Sequence, residues 1–216
     1  GGRDLSGNGY GAMVQQMTAE LSGERIVPAP VWGCVLIGGK SSRMGRPKHL
    51  LRRDGLTWLE LIVQQFQGQV EQVVLVGQGE IPPSLAGLTV VSDAPGFQGP
   101  LAGVLAVFRQ QPRVSWLVAA CDLPCLERSA LEWLLSCRGP GVRAVLPDLM
   151  GGGQVEPLLA YYDCSCRDLL EEVAAGGANR LSGLVGRPGV ITPQPPANLQ
   201  GSWRNVNRPD DVDRLL

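Results

Sequence analysis

Short apolar runs alternate with amphipathic segments along the chain from Trp32 onward. Uninterrupted apolar runs of this length are typical of strands that are buried on both faces of a sheet. They predict strands at residues 35–37, 73–76, 88–91, 116–120, 142–146, 158–162 and 189–191. A further short strand at 49–53 is expected to turn at Asp54-Gly55, a dipeptide that favours tight hairpins.

The segments between these runs carry apolar residues at helical intervals. Thr57 and Glu60 have the spacing of a capping box, so a helix is expected to begin there and continue to Phe66. Further helices are predicted at residues 101–109, 128–137, 168–175 and 210–216. This alternation of strands and helices predicts an α/β fold with a mostly parallel sheet and helices on both of its faces.

The composition suits one domain that binds a small ligand. The chain has 216 residues, of which 44% are hydrophobic and 18% charged, and its net charge is −1. Because there is no basic excess, we expect no nucleic-acid partner. No apolar stretch approaches the length of a membrane span and no signal peptide is recognisable, so we expect no membrane partner either.

The first thirty residues differ from the rest of the chain. They begin with a glycine-rich stretch that lacks an initial methionine. We expect residues 1–30 to be a flexible leader, partly vector-derived, with Met13 or Met17 as the natural start. Residues 31–216 are predicted to form a single domain.

The six cysteines point to a reducing compartment. Their spacing does not suit a zinc site, because C-x-x-C pairs are absent and His49 is the only histidine. We therefore expect buried free thiols in the cytosol.

The segment from Val35 to Leu51 carries the strongest chemical signal. An apolar strand runs into Gly38 and Gly39, and Gly45 follows two serines. Glycines let a backbone approach a ligand closely, and successive N–H groups in such a turn form an anion site. The spacing fits neither a P-loop nor the dinucleotide fingerprint. The segment also carries the cations Lys40, Arg43, Arg46 and Lys48. Together these features indicate a triphosphate site at the carboxyl end of a strand.

Other polar side chains could complete this site. Asp122 follows the run at 116–120, where one carboxylate is enough to bridge Mg2+ to substrate phosphates; capping of the next helix is the alternative. Asp93 precedes a loop rich in glycine and proline, which is either a wall beside a base or second substrate or a simple turn. Asn205 and Asn207 either cap the last helix or reach the site as metal-water or phosphate ligands.

These motifs together resemble those of the molybdenum cofactor guanylyltransferases, from about Gly33 to Leu216. The motifs are L-I-G-G-K-S-S-R-M-G-R-P-K-H-L-L, C-D-L-P, G-P-L-A-G and N-V-N-R-P-D-D. The resemblance implies a Rossmann-like, doubly wound α/β domain of the nucleotide-diphospho-sugar transferase type, working in the cytoplasm. It also implies transfer of GMP from GTP to molybdopterin with Mg2+, which releases pyrophosphate and forms molybdopterin guanine dinucleotide.

The resemblance also suggests roles for individual residues. Those similar to the family's GTP contacts are Leu36, Ile37, Gly38, Gly39, Lys48, Asp93 and Asp122. Asp122 is similar to the magnesium ligand and, with Lys48 and Arg43, is expected to be catalytic. Asn205 and Asn207 are candidates for contacts to the second substrate or to phosphate. The attacking phosphate is already ionised at neutral pH, so no general base is expected, and cations offset the charge of the two reactants.

Two positions depart from the family pattern. Ile37 stands where alanine is usual and adds bulk beside the base. Gln78 stands where an asparagine is frequent after the second strand.

Other functions remain open at the level of sequence. The chain could be a cytidylyltransferase acting on molybdopterin, or an enzyme that makes a nucleotide-sugar or nucleotide-polyol. Gly39 favours a purine, since such cytidylyltransferases often carry alanine there. A non-catalytic nucleotide-binding module would be expected to lack Lys48 or Asp122, and both are present. Transient contacts with other molybdenum cofactor biosynthesis proteins or apo-molybdoenzymes are also implied by the resemblance.

Overall fold

The fold is known from a computed structural model, which describes residues 28–38, 47–177 and 180–206. Within these residues the strands are β1 (Val31–Leu36), β2 (Arg52–Arg53), β3 (Leu56–Thr57), β4 (Val73–Val76), β5 (Thr89–Val91), β6 (Ser115–Ala120), β7 (Ala144–Val145), β8 (Leu159–Tyr162) and β9 (Val190–Ile191). The α-helices are α1 (Trp58–Phe66), α2 (Gly99–Gln110), α3 (Arg128–Ser136) and α4 (Arg167–Ala175). Short 3-10 segments lie at Lys48–Leu50, Pro83–Leu85, Cys164–Cys166, Leu181–Leu184 and Ala197–Trp203.

One mixed sheet organises the described residues, in the strand order β5-β4-β1-β6-β8-β7-β9. The strands β5, β4, β1 and β6 are mutually parallel, whereas β8 runs antiparallel to β6 and to β7. The carboxyl ends of the four parallel strands therefore lie on one edge of the sheet. The start of β8 reaches the same edge, because Ala120 N donates to Leu158 O over 2.9 Å.

Helices cover both faces of this sheet, as the alternation of segments predicts. Successive residues of a strand point to opposite faces. Cys34 packs with α2 and α4 in one core cluster, and its neighbour Val35 packs with α1 and α3 in the other. The α/β fold with a mostly parallel sheet is confirmed.

The start of α1 has the predicted cap. Thr57 Oγ1 accepts from Glu60 N over 3.1 Å, and Glu60 Oε2 accepts from Thr57 N over 2.7 Å. Asp54 and Gly55 both have positive φ, as the tight turn between β2 and β3 requires. None of the helices in the described ranges combines the length and apolar character needed to cross a membrane.

Some predicted boundaries are wrong. The first strand begins at Val31 and not at Val35. It includes Gly33, whose missing side chain leaves room for Phe66, because a Cβ at Gly33 would lie 2.6 Å from the Phe66 ring. The predicted strand at 49–53 begins instead as a 3-10 turn, in which Leu50 N donates to Pro47 O. The strand predicted at 142–146 is only Ala144–Val145. The predicted helix at 210–216 and most of the leader lie outside the described residues.

All six cysteines are free thiols, as predicted. Cys34, Cys121 and Cys166 are buried, whereas the other three are half-buried, so the prediction of burial is only partly right.

Candidate active site

A cavity of about 390 Å3 opens where β1, β4 and β6 end. Six of the residues expected to contact GTP line it: Leu36, Ile37, Gly38, Lys48, Asp93 and Asp122. The amino end of α2 closes another side with Gly99, Pro100 and Gly103. The glycine- and proline-rich segment after β5 therefore contributes Asp93, Gly99 and Pro100 to the lining of this cavity.

Close backbone packing shapes the floor of the cavity. Ile37 N donates to Val76 O over 2.8 Å, and Gly77 N donates to Val91 O over 2.9 Å. Gly77 has a φ of +116°, and a Cβ there would lie 2.0 Å from Ile37 O, so only glycine fits. Ile37 lines the cavity and is also part of the core beside α1, where its branched side chain is accommodated. The side chain of Gln78 is exposed and does not line the cavity.

Lys48 and Asp122 form an ion pair at this cavity. Lys48 Nζ lies 3.4 Å from Asp122 Oδ2, and the two side chains are 21% and 23% exposed. His49 anchors the turn that carries Lys48. It is 2% exposed, and its Nε2 lies 2.9 Å from Glu80 O. Because a carbonyl can only accept, Nε2 is the protonated nitrogen. The histidine is thus a structural support for Lys48.

One carboxylate oxygen of Asp122 pairs with Lys48, and the other is buried. Within the described residues, Oδ1 is buried and has no hydrogen-bond partner. The capping alternative is wrong, because the residue at the N-cap of α3 is Glu127. The carbonyl of Asp122 accepts from Val206 N over 3.1 Å, which ties the site to the segment after Trp203.

Burial and the charge of Asp122 raise the pKa values of two other groups. Burial, and then the charge of Asp122, raise the pKa of Cys121 to about 12, so this thiol stays protonated at neutral pH. The same two causes raise the pKa of Glu156 above its ordinary value. The sequence did not predict that Glu156 lies near this site. Its only distinguishing feature in the sequence is its position just before the strand that begins at Leu159.

Asp93 also lines this cavity. It is exposed overall, yet partial burial of its carboxyl raises the pKa. A Cβ at Gly103 would lie 3.4 Å from Asp93 Oδ1 and 2.7 Å from Leu36 Cδ2. The glycine therefore keeps α2 close to both residues.

None of the remaining predicted site residues is among the described residues that line the cavity. Asn205 is exposed and does not line the cavity, although its neighbour Val206 contacts Asp122. Gly39, Arg43 and Asn207 lie outside the described residues, as do the loop cations Lys40 and Arg46.

A second cavity, of about 510 Å3, adjoins the first. Its walls come from the amino end of α2, from the segment between β7 and β8, and from residues 180–182. Pro100 and Leu158 line both cavities. Arg180 supplies a cationic side chain to the second one.

Known proteins resemble this chain over most of its length. The model of the MobA-like NTP transferase domain matches residues 33–187. The molybdenum cofactor guanylyltransferase of Rhizobium meliloti is 30% identical over 82% of this chain and 87% of its own length. A probable molybdenum cofactor guanylyltransferase of Halalkalibacterium halodurans is 28% identical over 83% of this chain and 94% of its own.

Solved structures agree with the sequence relatives. Molybdopterin-guanine dinucleotide biosynthesis protein A from Archaeoglobus fulgidus superposes with a TM-score of 0.68 and is 28% identical, covering 85% of this chain and 95% of its own. The 2-C-methyl-D-erythritol 4-phosphate cytidylyltransferase of Thermus thermophilus, 16% identical with a TM-score of 0.57 over 84% and 95% of the two chains, shares the fold. The chain therefore belongs to the family of MobA-like NTP transferases.

Proposed function

We propose that this protein transfers a GMP moiety from GTP to molybdopterin, releasing pyrophosphate and forming molybdopterin guanine dinucleotide. One observation carries the proposal: residues from three of the four sequence motifs converge on one cavity around the Lys48–Asp122 pair. Open α/β sheets bind ligands at this edge, beyond the carboxyl ends of parallel strands. The relatives named as guanylyltransferases supply the identity of the donor and acceptor.

The nucleotide is assigned to the cavity lined by Gly38, Asp93 and Gly103. The turn at Gly38, with a φ of +97°, brings main chain rather than side chain to the ligand. A carboxylate such as Asp93 can accept hydrogen bonds from the N–H groups that guanine presents on one edge. Ionised Asp93 thus offers a reason for preferring guanine to cytosine.

The residues fit a magnesium ion at Asp122. Its buried Oδ1 has no protein partner in the described part of the chain, and a hard cation takes such oxygens as ligands. No group of three or more His, Cys, Asp and Glu side chains among the described residues could hold a metal. Phosphate oxygens and waters would therefore complete the coordination. When bound, the ion would offset charge on the phosphates.

The acceptor is assigned to the second cavity. Because Pro100 and Leu158 line both cavities, a molecule in the second can extend its terminal phosphate into the first. Arg180 provides a cation for an anionic acceptor.

The reaction then needs positioning more than proton transfer. A terminal phosphate oxygen of the acceptor attacks the α-phosphorus of GTP, and the bond from that phosphorus to the bridging oxygen of pyrophosphate breaks. The nucleophile is already ionised, so no side chain has to remove a proton. Lys48 lines this cavity and would stabilise electrostatically the charge that gathers on the phosphates. Arg43 is assigned a similar role from the family motif.

We further propose that the protein works in the cytoplasm, where its free thiols remain reduced. Transient contacts with other molybdenum cofactor biosynthesis proteins or apo-molybdoenzymes would deliver the acceptor and remove the product.

A transfer assay tests the proposal. Purified molybdopterin is incubated with Mg2+ and with GTP or CTP labelled at the α-phosphorus. The proposal expects label from GTP, and little from CTP, in a dinucleotide product with release of unlabelled pyrophosphate. Preference for CTP would make the protein a cytidylyltransferase, and binding without any transfer would make it a nucleotide-binding module.

A further inference from the structure

The segment between β7 and β8 forms one wall of the second cavity. We call residues 148–153 the glycine loop, because Gly151, Gly152 and Gly153 follow one another in it. Gly152 and Gly153 line the cavity together with Gln154. The function of this wall depends on what holds it in place.

Asp148 holds the glycine loop from inside. The residue is only 5% exposed. Its Oδ1 accepts from Gly151 N over 2.9 Å and from Met150 N over 3.3 Å, and its Oδ2 accepts from Gly153 N over 2.6 Å. Both carboxylate oxygens are thus used by main-chain donors of the same loop.

Asp148 is also anchored to the sheet. Its own N–H donates to Pro193 O over 3.1 Å, and it forms an antiparallel bridge with Val155. The carboxylate therefore fixes the loop relative to β7 and β8 and not merely relative to itself. A buried carboxylate with this set of partners defines one loop conformation strongly.

The loop presents main chain and not side chains to the cavity. Gly151 and Gly153 have φ of +68° and +82°, which side chains rarely tolerate. Gly152 lacks such a φ, and a Cβ there would meet no atom within 4 Å. The side chain of Met150 is 83% exposed. The wall at Gly152 and Gly153 therefore consists of main-chain atoms without side chains.

We propose that Asp148 is a positioning residue, which holds the glycine loop as a flat wall for the ring system of the acceptor. This inference rests on the proposed function, in which the acceptor carries a planar heterocycle at the end opposite its phosphate. Peptide planes without side chains leave room for such a ring, and Asp148 keeps them there before the acceptor arrives. This preorganisation lowers the ordering cost of binding.

Three variants test the assignment by steady-state kinetics. Asp148→Ala should raise KM for molybdopterin roughly tenfold to a hundredfold and leave the Kd for GTP unchanged, because a loosened wall misplaces one substrate only. Asp148→Asn should rescue part of the loss, because its amide oxygen still accepts from Gly151 N. Gly152→Val fills the space above the wall and should raise the same KM without lowering Tm.

Asp163→Ala is the matched control. Asp163 also binds main chain and hydroxyl groups of its own loop, including Ser165 N at 2.9 Å, but it follows the far end of β8. This variant should lower Tm and leave KM for molybdopterin unchanged.

The outcomes separate the inference from the function on which it rests. Normal transfer by the wild type, with an unaltered acceptor KM in Asp148→Ala and Gly152→Val, would overturn the role of the loop alone. A weakening of GTP binding as large as the rise in acceptor KM in Asp148→Ala would also overturn it, since it indicates a general structural defect. If Asp148→Ala does not fold, Gly152→Val decides the question. Absence of transfer by the wild type overturns the proposed function and the inference with it.

Discussion

Lys48 and Asp122 lie 74 positions apart in the sequence, and Lys48 Nζ is 3.4 Å from Asp122 Oδ2. The lysine comes from the 3-10 turn after Pro47, and the aspartate follows β6. Both side chains remain partly exposed, so solvent screens their attraction. Such pairs contribute only about 0–1 kcal/mol to folding. In the proposed reaction both residues act on the phosphates of GTP, so replacing either one should lower activity much more than stability.

Replacing Asp122 with alanine should remove most turnover. The variant loses the buried oxygen assigned to magnesium, and losing one such electrostatic group costs about 3 kcal/mol of barrier, on the order of a hundredfold in rate. Transfer of label from GTP measures the rate, and circular dichroism checks the fold. Asp54→Asn, on the exposed hairpin turn, serves as the control and should keep full activity. Turnover close to wild type in Asp122→Ala would contradict the metal assignment.

Lys48→Ala should also lose most turnover, on the order of a hundredfold, because charge on the phosphates is no longer offset. Its melting temperature should change little, since the pair is partly exposed. Arg113→Ala removes an exposed cation just before β6, at the opposite edge of the sheet, and should leave kcat unchanged. If the kcat of Lys48→Ala equals that of the control, Lys48 takes no part in the reaction.

A side chain at Gly103 should close the nucleotide cavity. The added Cβ of Gly103→Val would crowd Leu36 at 2.7 Å, Val76 at 3.2 Å and Asp93 at 3.4 Å. Overpacking of this kind costs about 1–3 kcal/mol of folding free energy, and we expect a weaker Kd for GTP as well. Calorimetric titration and urea unfolding measure the two effects. Gly87→Val, where a Cβ meets nothing within 4 Å, should change neither.

Affinity for GTP should fall on the acid side because of Asp93. Burial raises the pKa of its carboxyl, so protonation begins at a higher pH than for an ordinary aspartate. The protonated form is a poorer acceptor for guanine N–H groups, so affinity is complete above the raised pKa and is lost as pH falls through it. GTP itself titrates, and the ratio of wild-type to Asp93→Asn affinity cancels that contribution. A ratio that stays constant with pH would show that Asp93 does not contact the guanine base.

The sequence predicted the layers of the fold better than the ends of its elements. Apolar runs identify buried strands, and the Thr57–Glu60 spacing identifies the start of α1 correctly. The start of β1 was missed because Gly33 looks like a boundary, whereas its missing Cβ makes room for Phe66. That requirement arises only when α1 packs on the sheet.

The residues of the candidate site were likewise predicted only in part. Gly38, Lys48 and Asp122 are visible in the sequence because strand ends concentrate glycines and charges, and they line one cavity. Asp148 and the structural role of His49 could not be predicted. Their partners are main-chain atoms, and no residue type in the sequence marks them.

In the proposed reaction two anionic reactants meet beside Lys48 and Asp122, and no side chain has to remove a proton. The decisive experiment is a crystal structure with a GTP analogue that resists cleavage at the α-phosphorus, and with Mn2+ located by anomalous scattering. We expect the triphosphate to lie beside Lys48 and the ion to bind Asp122 Oδ1. A nucleotide bound away from this cavity, or an ion without contact to Asp122, would contradict it.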